Sequence, residues 1–277
     1  MPKFQESVNL AQYASYKIGG PARFFFEAAA EDDLKRALGE AGKRRLKVFV
    51  LGGGTNLLID DGGFDGLVIK PAARFLEADG IVLRAGAGVL MADLLGFSAA
   101  RGLSGLEWAG GLPGEVGGAI RGNAGCFGGE IKDVISEVES MDVKTGEKIK
   151  RSGRGCAFSY RSSVFKEKGG EIILSAVFGL KRGDPKEIKA AVDEKMNYRL
   201  ARYPMEHPNV GSVFKNVDVR KAPPEVCERF KSSIKTDPMP VLPTARLISE
   251  TGLKGVSCGG AMVSPKHPNF IVNVFQA

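Results

Sequence analysis

The fold is decided by a short apolar run that ends in glycine, residues 48–56, which read VFVLGGGTN. Four successive apolar residues predict a buried strand. The three glycines that follow let the backbone turn sharply or approach a ligand closely. Working outward, residues 23–28 and 67–69 predict two further strands, and residues 31–45 predict a helix with one apolar face. We therefore expect a small α/β unit over residues 1–70.

A second unit is predicted at residues 71–182. Residues 81–85 predict a strand and residues 90–101 a helix, and apolar runs at 134–143 and 171–180 predict two longer strands. Turn residues lie between these runs. We therefore expect another unit that mixes helix and strand.

The third unit, residues 183–277, begins with a helix start signal. Asp184 is a favourable N-cap, and Pro185 stands at the first helical position, where proline is well tolerated. Side chains at helical spacing between Ile188 and Arg199 share one face of the helix. The helix is expected to end before Pro204. Loops and short elements follow.

The composition is that of an ordinary globular chain with an excess of glycine. Of 277 residues, 43% are hydrophobic and 26% charged, and the 37 glycines are clustered, which excludes collagen-like and linker sequences. The net charge of +7 suits a protein that handles anionic ligands such as nucleotides. Basic runs at 43–45 and 148–154 lack interleaved aromatic residues, so we expect solvated surface and no nucleic-acid partner.

Cysteine spacing and hydropathy restrict the kind of site and the compartment. The four cysteines form no Cys-x-x-Cys pair, so we expect no metal site. Residues 1–10 lack the apolar core of a signal peptide, and no apolar stretch approaches the ~20 residues of a membrane span. These features predict a cytoplasmic protein with reduced thiols and no membrane partner.

The glycine clusters admit more than one interpretation. The second cluster, residues 110–119, reads GGLPGEVGGA, and neither cluster carries the lysine of a P-loop. Residues 86–91 follow a strand and open a helix like a Rossmann fingerprint, but Met91 replaces the third glycine. Two loops that clamp one diphosphate through backbone N–H groups fit the pattern better. Tight structural turns are the remaining alternative.

Several motifs, taken in order along the chain, together resemble the motifs of one protein family. They are residues 15–22 (SYKIGGPA), 52–58 (GGGTNLL), 111–125 (GLPGEVGGAIRGNAG), 159–166 (SYRSSVFK), 211–216 (GSVFKN), and 251–255 with 266–270 (TGLKG and KHPNF). Together they resemble the UDP-N-acetylenolpyruvoylglucosamine reductases of peptidoglycan synthesis, from about residue 13 to residue 273. The short spacing between Arg161 and Gly211 resembles the shorter subtype of that family.

The resemblance implies a fold, a reaction and two cofactors. The implied fold is α+β, with an FAD-binding region of the PCMH or vanillyl-alcohol-oxidase-like type in two subdomains, 1–70 and 71–182, and a smaller α/β substrate-binding domain from 183 to 277. The implied reaction is reduction of an enolpyruvyl ether on a UDP-sugar to a lactyl ether. NADPH is the reductant and non-covalent FAD passes the hydride. We expect the protein to be a monomer.

The resemblance also implies functional residues. Arg161 stabilises the enolate charge that hydride addition creates, and Ser212 delivers the proton to the neighbouring carbon. Lys215 and Asn216 match a motif that holds the sugar nucleotide, and we add Tyr198, Arg199 and Arg202 as contacts for an anion or the uracil ring. The expected cofactor-binding residues are Gly52, Gly53, Gly54, Thr55, Asn56, Leu57, Pro113, Gly114, Gly117, Gly118, Ala119, Asn123 and Ala124.

The chain departs from the family pattern near its C-terminus. The family carries a third catalytic residue, a late glutamate, and no glutamate follows Glu250 here. Val217 stands where a proline is expected. We expect that the sequence is a C-terminally truncated fragment. The alternative is that the protein lacks that acid and binds flavin or a sugar nucleotide with little turnover.

Overall fold

A four-stranded sheet forms the first unit of the computed structural model, which describes residues 2–236, 239–275 and 277. Its elements are β1 (Gln5–Asn9), β2 (Pro21–Ala28), α1 (Glu31–Lys43), β3 (Val48–Val50) and β4 (Phe64–Pro71). The strand order is β1-β2-β4-β3. β1 runs antiparallel to β2, whereas β4 runs parallel to both β2 and β3.

The predicted buried strand is in fact an edge strand. β3 pairs with β4 on one side only, and Val50 at its end is 38% exposed. Burial begins at Leu51, the residue that leads into the first glycine loop. The prediction of a fully buried strand was wrong because a continuous apolar run does not show whether both edges of a strand are paired.

A five-stranded antiparallel sheet dominates the second unit. The strands of this unit are β5 (Leu76–Asp79), β6 (Val82–Gly86), β7 (Leu103–Ser104), β8 (Gly125–Cys126), β9 (Gly129–Glu130), β10 (Ile135–Asp142), β11 (Lys148–Ser152), β12 (Glu171–Gly179) and β13 (Lys181–Arg182). The order in the five-stranded sheet is β11-β10-β12-β6-β5. Its helices are α2 (Met91–Ala100), α3 (Val116–Arg121) and α4 (Val164–Glu167).

Helix α1 packs against both sheets. Its Leu34 and Leu38 share one buried cluster with Ile69 of β4 and with Met141 and Leu174 of the five-stranded sheet. The apolar face predicted from the sequence is therefore buried between two layers. This shared core fixes the end of β4 relative to the second sheet.

Helix α5 (Pro185–Arg202) begins as predicted. The Asp184 carboxylate accepts a hydrogen bond from the Lys186 N–H at 2.7 Å. The helix packs against α2 and against the short 3-10 helix Glu107–Ala109 of the second unit. The domain boundary predicted at residue 183 stays a prediction.

Short elements make up the rest of the chain, as expected. They are β14 (Val217–Asp218), α6 (Pro224–Arg229), β15 (Val241–Leu242), α7 (Thr244–Ser249), β16 (Ser257–Cys258), β17 (Ala261–Val263) and β18 (Ile271–Asn273). β16, β17 and β18 form an antiparallel sheet. The Asn273 amide donates to the Tyr16 carbonyl at 3.0 Å and joins this sheet to the first unit. Within the described ranges, no helix has the length and apolar character that a membrane crossing requires.

Candidate cofactor and substrate site

The two glycine loops meet in space. A Cβ placed on Gly53 would lie 2.9 Å from the Gly114 Cα, and a Cβ on Gly114 would lie 2.7 Å from the Thr55 Oγ1. Gly114 also has a φ of +102°, which disfavours any side chain. The first loop follows β3, and the second continues into the first turn of α3. Glycine is therefore required where the two loops touch.

Residues 52–58 offer a row of backbone donors. Among the described residues, their N–H groups donate to no other backbone group, and the same holds for Gly114 and Gly118. Successive free N–H groups next to glycine form anion-binding concavities. By contrast, the Gly117 N–H donates to the Ala87 carbonyl at 2.9 Å and is occupied within the fold.

The Gly86 and Gly88 pair has a packing role. A Cβ on Gly86 would collide with the Ala73 carbonyl oxygen, and one on Gly88 would lie 3.0 Å from the Ala72 Cα. The segment after β4 crosses these glycines. This contact accounts for the Rossmann-like pattern without a nucleotide.

A buried ion pair, which the sequence did not predict, lies where the loops meet. Lys70 at the end of β4 places its Nζ 2.5 Å from the Glu115 Oε1, and 3.4 Å from the Gly52 carbonyl oxygen. Only 10% of the Lys70 side chain and 4% of the Glu115 side chain are exposed. Lys70 therefore contacts both loops.

Asn123 is fully buried and braces the second loop. Its Nδ2 donates to the Ser159 carbonyl at 3.0 Å and to Glu130 at 3.3 Å, and its Oδ1 accepts from the Lys132 N–H at 3.0 Å. The side-chain amide is thus occupied by protein partners. The predicted contact of Asn123 with a cofactor, like that of Ala124, stays a prediction.

Arg161 stands at the tip of a two-residue turn. Ser159 and Ser162 exchange two backbone hydrogen bonds of 3.0 Å across it. Arg161 has a φ of +57°, in the left-handed region that non-glycine residues enter at a cost. Its half-buried guanidinium donates to the Gly125 carbonyl at 2.7 Å. The predicted catalytic arginine is therefore anchored to Gly125, which follows the second glycine loop and α3 in the chain.

Cationic side chains from separate elements lie near Lys166, which contacts the backbone of Arg161. Lys166 donates to the Arg161 carbonyl at 3.0 Å. The pKa of Lys166 is lowered by burial and then by the nearby charges of Lys215, Arg121 and Arg161, against the opposing charge of Glu167. We call these four basic residues the cationic cluster. The sequence predicted Arg161 and Lys215 but missed Arg121 and Lys166, whose positions follow from the fold.

The loop that carries Ser212 is held by Asn269. Asn269 accepts from the Phe214 N–H at 3.0 Å and donates to the Phe214 carbonyl at 2.9 Å, while its own carbonyl accepts from Val213. Ser212 itself is exposed. Two separate sequence motifs are thus joined through one buried amide.

Asn216, predicted to contact substrate, accepts from the Thr244 N–H at 3.2 Å. Its carbonyl oxygen is therefore engaged inside the fold. A substrate contact through the remaining amide group stays a prediction.

A cavity of about 310 Å³ lies between the first unit and the C-terminal sheet. Its lining includes Tyr16, Asn56, Leu57, Val213 and Ile271. The cavity therefore joins the first glycine loop to the loop of Ser212. It is mostly apolar, as binding sites for planar ring systems commonly are.

Helix α5 presents one buried and one exposed arginine. Arg199 donates to the Gly110 carbonyl at 2.8 Å and contacts the Cys126 Sγ at 2.9 Å. Tyr198 and Arg202, two of the three predicted contacts on this helix, are exposed and contact each other at 3.3 Å. Arg199 braces the second loop, and no ligand contact of the other two is established.

Comparison with known proteins places the chain in a family. A family model described as "FAD binding domain" matches residues 22–152, and one described as "UDP-N-acetylenolpyruvoylglucosamine reductase, C-terminal domain" matches residues 203–277. A UDP-N-acetylenolpyruvoylglucosamine reductase of Carboxydothermus hydrogenoformans is 41% identical over 97% of this chain and 82% of its own. The chain belongs to the UDP-N-acetylenolpyruvoylglucosamine reductase family.

Other relatives agree with that membership. A UDP-N-acetylenolpyruvoylglucosamine reductase of Solibacter usitatus is 35% identical over 96% of this chain and 84% of its own. The crystal structure of UDP-N-acetylenolpyruvylglucosamine reductase (MurB) from Thermus caldophilus has a TM-score of 0.79 at 33% identity, covering 100% of this chain and 90% of that one.

Family membership confirms the predicted fold class, an α+β protein with an FAD-binding region followed by a smaller C-terminal domain. It also confirms the predicted class of enzyme, a flavoprotein oxidoreductase, and FAD as its cofactor. The domain boundaries and the individual site residues stay predictions.

Proposed function

We propose that this reductase-family protein converts UDP-N-acetylglucosamine enolpyruvate to UDP-N-acetylmuramate with NADPH as reductant, in the synthesis of peptidoglycan precursors. The observation that carries the proposal is the meeting of two glycine loops beside the cationic cluster. The glycine loops suit a cofactor diphosphate, and the cationic cluster suits an anionic substrate. The predicted monomeric state and cytoplasmic location are part of the proposal, and analytical ultracentrifugation and cell fractionation test them.

The glycine loops fit the diphosphate of FAD. Within the part of the chain that the structure describes, the N–H groups of residues 52–58 and of Gly114 and Gly118 have no backbone acceptor and can serve as donors. The missing side chains at Gly53 and Gly114 leave room for close approach. When bound, FAD supplies hydride-transfer chemistry. We infer that the apolar cavity beside Asn56 and Leu57 receives ring atoms of the cofactor or substrate.

Arg161 is proposed to hold the enolpyruvyl carboxylate. Reduction of the double bond needs a hydride at one carbon and a proton at the other, and the hydride step places negative charge on the carboxylate as an enolate. A guanidinium fixed by the Gly125 carbonyl can stabilise that charge in a bidentate contact. Lys215 and the other members of the cationic cluster add attraction for the UDP diphosphate.

Ser212 is proposed to deliver the proton. It is exposed on a loop whose backbone Asn269 fixes, and Val213 of the same loop lines the apolar cavity. A positioned hydroxyl can protonate the neighbouring carbon as hydride arrives at the first. Ser212 thereby completes the addition across the double bond.

The test is NADPH oxidation that depends on the enolpyruvyl UDP-sugar. Ser212→Ala is expected to retain FAD and its reduction by NADPH, and to slow substrate reduction about 10²–10⁴-fold. Ser257→Ala, at an exposed serine of β16, is the matched control. Loss of flavin from Ser212→Ala, or unchanged turnover, would refute the role of Ser212. A yellow protein that binds the UDP-sugar without oxidising NADPH would refute the proposed function.

A further inference from the structure

The buried pair Lys70–Glu115 has no role in the chemistry described above. Glu115 lies between Gly114 and the first turn of α3, in the N-cap position, yet its side chain accepts no hydrogen bond from that turn. Its carboxylate is instead 2.5 Å from the Lys70 Nζ. The pair places a negative charge directly at the second glycine loop and a positive charge beside it.

A buried carboxylate at this position opposes an anionic ligand. Solvent screens it weakly, because 4% of the Glu115 side chain is exposed. Like charges within several ångströms repel strongly where water is excluded. A diphosphate would therefore bind poorly at these loops if Glu115 carried an uncompensated charge.

We propose that Lys70 sets the affinity for FAD by neutralising the Glu115 carboxylate at the meeting point of the two glycine loops. The inference rests on the proposal that those loops hold the FAD diphosphate. Lys70 contacts the carboxylate and also lies 3.4 Å from the Gly52 carbonyl, so it can neutralise the charge for both loops. Glu115 in turn holds the Lys70 side chain at the end of β4.

The proposal predicts different effects on FAD affinity for the two members of the pair. Lys70→Met leaves the carboxylate unpaired and is expected to weaken FAD binding at least about tenfold, or about 1.4 kcal/mol. Glu115→Gln keeps an oxygen for Lys70 but removes the negative charge, so FAD is expected to bind as tightly as in the native protein or more tightly. The double variant is expected to return to within about threefold of the native affinity.

The measurement is titration of the apoprotein with FAD, followed by quenching of flavin fluorescence, with thermal unfolding of each apoprotein alongside. Lys189→Met, in an exposed ion pair on α5, is the control for net charge. Equal weakening by Lys70→Met and Glu115→Gln would overturn the proposal, since a purely structural ion pair behaves in that way. Unchanged affinity in Lys70→Met would overturn it too. If Lys70→Met does not fold, weakened binding in Glu115→Gln alone still refutes it.

A glycine variant separates this inference from the proposed cofactor site. Gly53→Val fills the contact between the loops and is expected to abolish FAD binding. If Gly53→Val weakens FAD binding but Lys70→Met does not, the inference about Lys70 fails and the cofactor site stands. If a folded Gly53→Val protein binds FAD normally, the cofactor site itself is misplaced.

Discussion

Lys166 Nζ lies 3.0 Å from the carbonyl oxygen of Arg161. The bond ties α4 to the turn that presents the arginine. Because Arg161 has a left-handed backbone at a cost of about 1–2 kcal/mol, contacts that hold its carbonyl help to maintain that conformation. Lys166 therefore positions Arg161, and it also contributes a positive charge to the cationic cluster.

Replacing Lys166 by Met is expected to lower kcat/KM for the enolpyruvyl UDP-sugar about 10–100-fold, because Arg161 would lose the orientation that its proposed role requires. FAD content and the rate of flavin reduction by NADPH are expected to stay at native values. Steady-state and anaerobic stopped-flow kinetics provide the measurement. Lys168→Met, two residues further along and exposed, is the control. Native substrate kinetics in Lys166→Met would show that Arg161 holds its place without the lysine.

Asn269 supports the loop of Ser212 through the two hydrogen bonds to Phe214. Asn269→Ala leaves the Phe214 backbone groups without these partners and is expected to lower the free energy of unfolding by about 1–3 kcal/mol. Substrate reduction should slow while FAD stays bound. Urea unfolding and turnover assays test this, with Gln5→Ala on exposed β1 as the amide control. A variant with native stability and turnover would contradict the supporting role.

The glycine loops could be predicted from sequence, whereas the residues that support these loops, the turn of Arg161 and the loop of Ser212 could not. A run of glycines such as residues 52–54 carries a local signal, and at Gly53 and Gly54 only glycine tolerates the close approach of other backbone. Lys70, Lys166 and Asn269 gave no such signal. Lys70 and Asn269 contact residues that are distant in the sequence, and the contact of Lys166 with Arg161 depends on the geometry of a turn. Only the folded chain therefore shows these contacts.

Helix α5 also shows what the sequence alone cannot predict. Helical periodicity placed Arg199 on the packed face, and Arg199 is buried there. Periodicity does not say which atoms a buried guanidinium contacts, so its bond to the Gly110 carbonyl went unpredicted. Edge strand β3 is the comparable case among the strands, because pairing partners cannot be read from one apolar run.

Arg199→Lys is expected to destabilise the protein by about 1.5–3 kcal/mol, because lysine cannot reproduce the planar fork that reaches both the Gly110 carbonyl and the Cys126 Sγ. Since Gly110 begins the second glycine loop, FAD affinity should fall as well. Thermal unfolding and flavin titration measure the two effects. Arg182→Lys, exposed on β13, is the control. Equal stability of the two variants would mean that a lysine satisfies the same contacts.

His267 is expected to make stability depend on pH. Burial lowers its pKa below the ordinary 6.5, and the positive charges of Lys235 and Lys254 lower it further. Within the described residues its buried Nδ1 has no hydrogen-bond partner. The unfolded chain therefore binds a proton more readily than the folded protein just below pH 6.5. The contribution of neutral His267 to the free energy of unfolding is fully present above that pH, and it is lost as the pH falls through the folded-state pKa.

Urea unfolding between about pH 7.5 and about pH 5.5 should show falling stability in the native protein. His267→Gln should be less stable at high pH, because it loses ring packing on Tyr203 and Phe270, but its stability should change less with pH. His207→Gln is the matched control. The same pH slope in His267→Gln and in the native protein would assign the dependence to other groups.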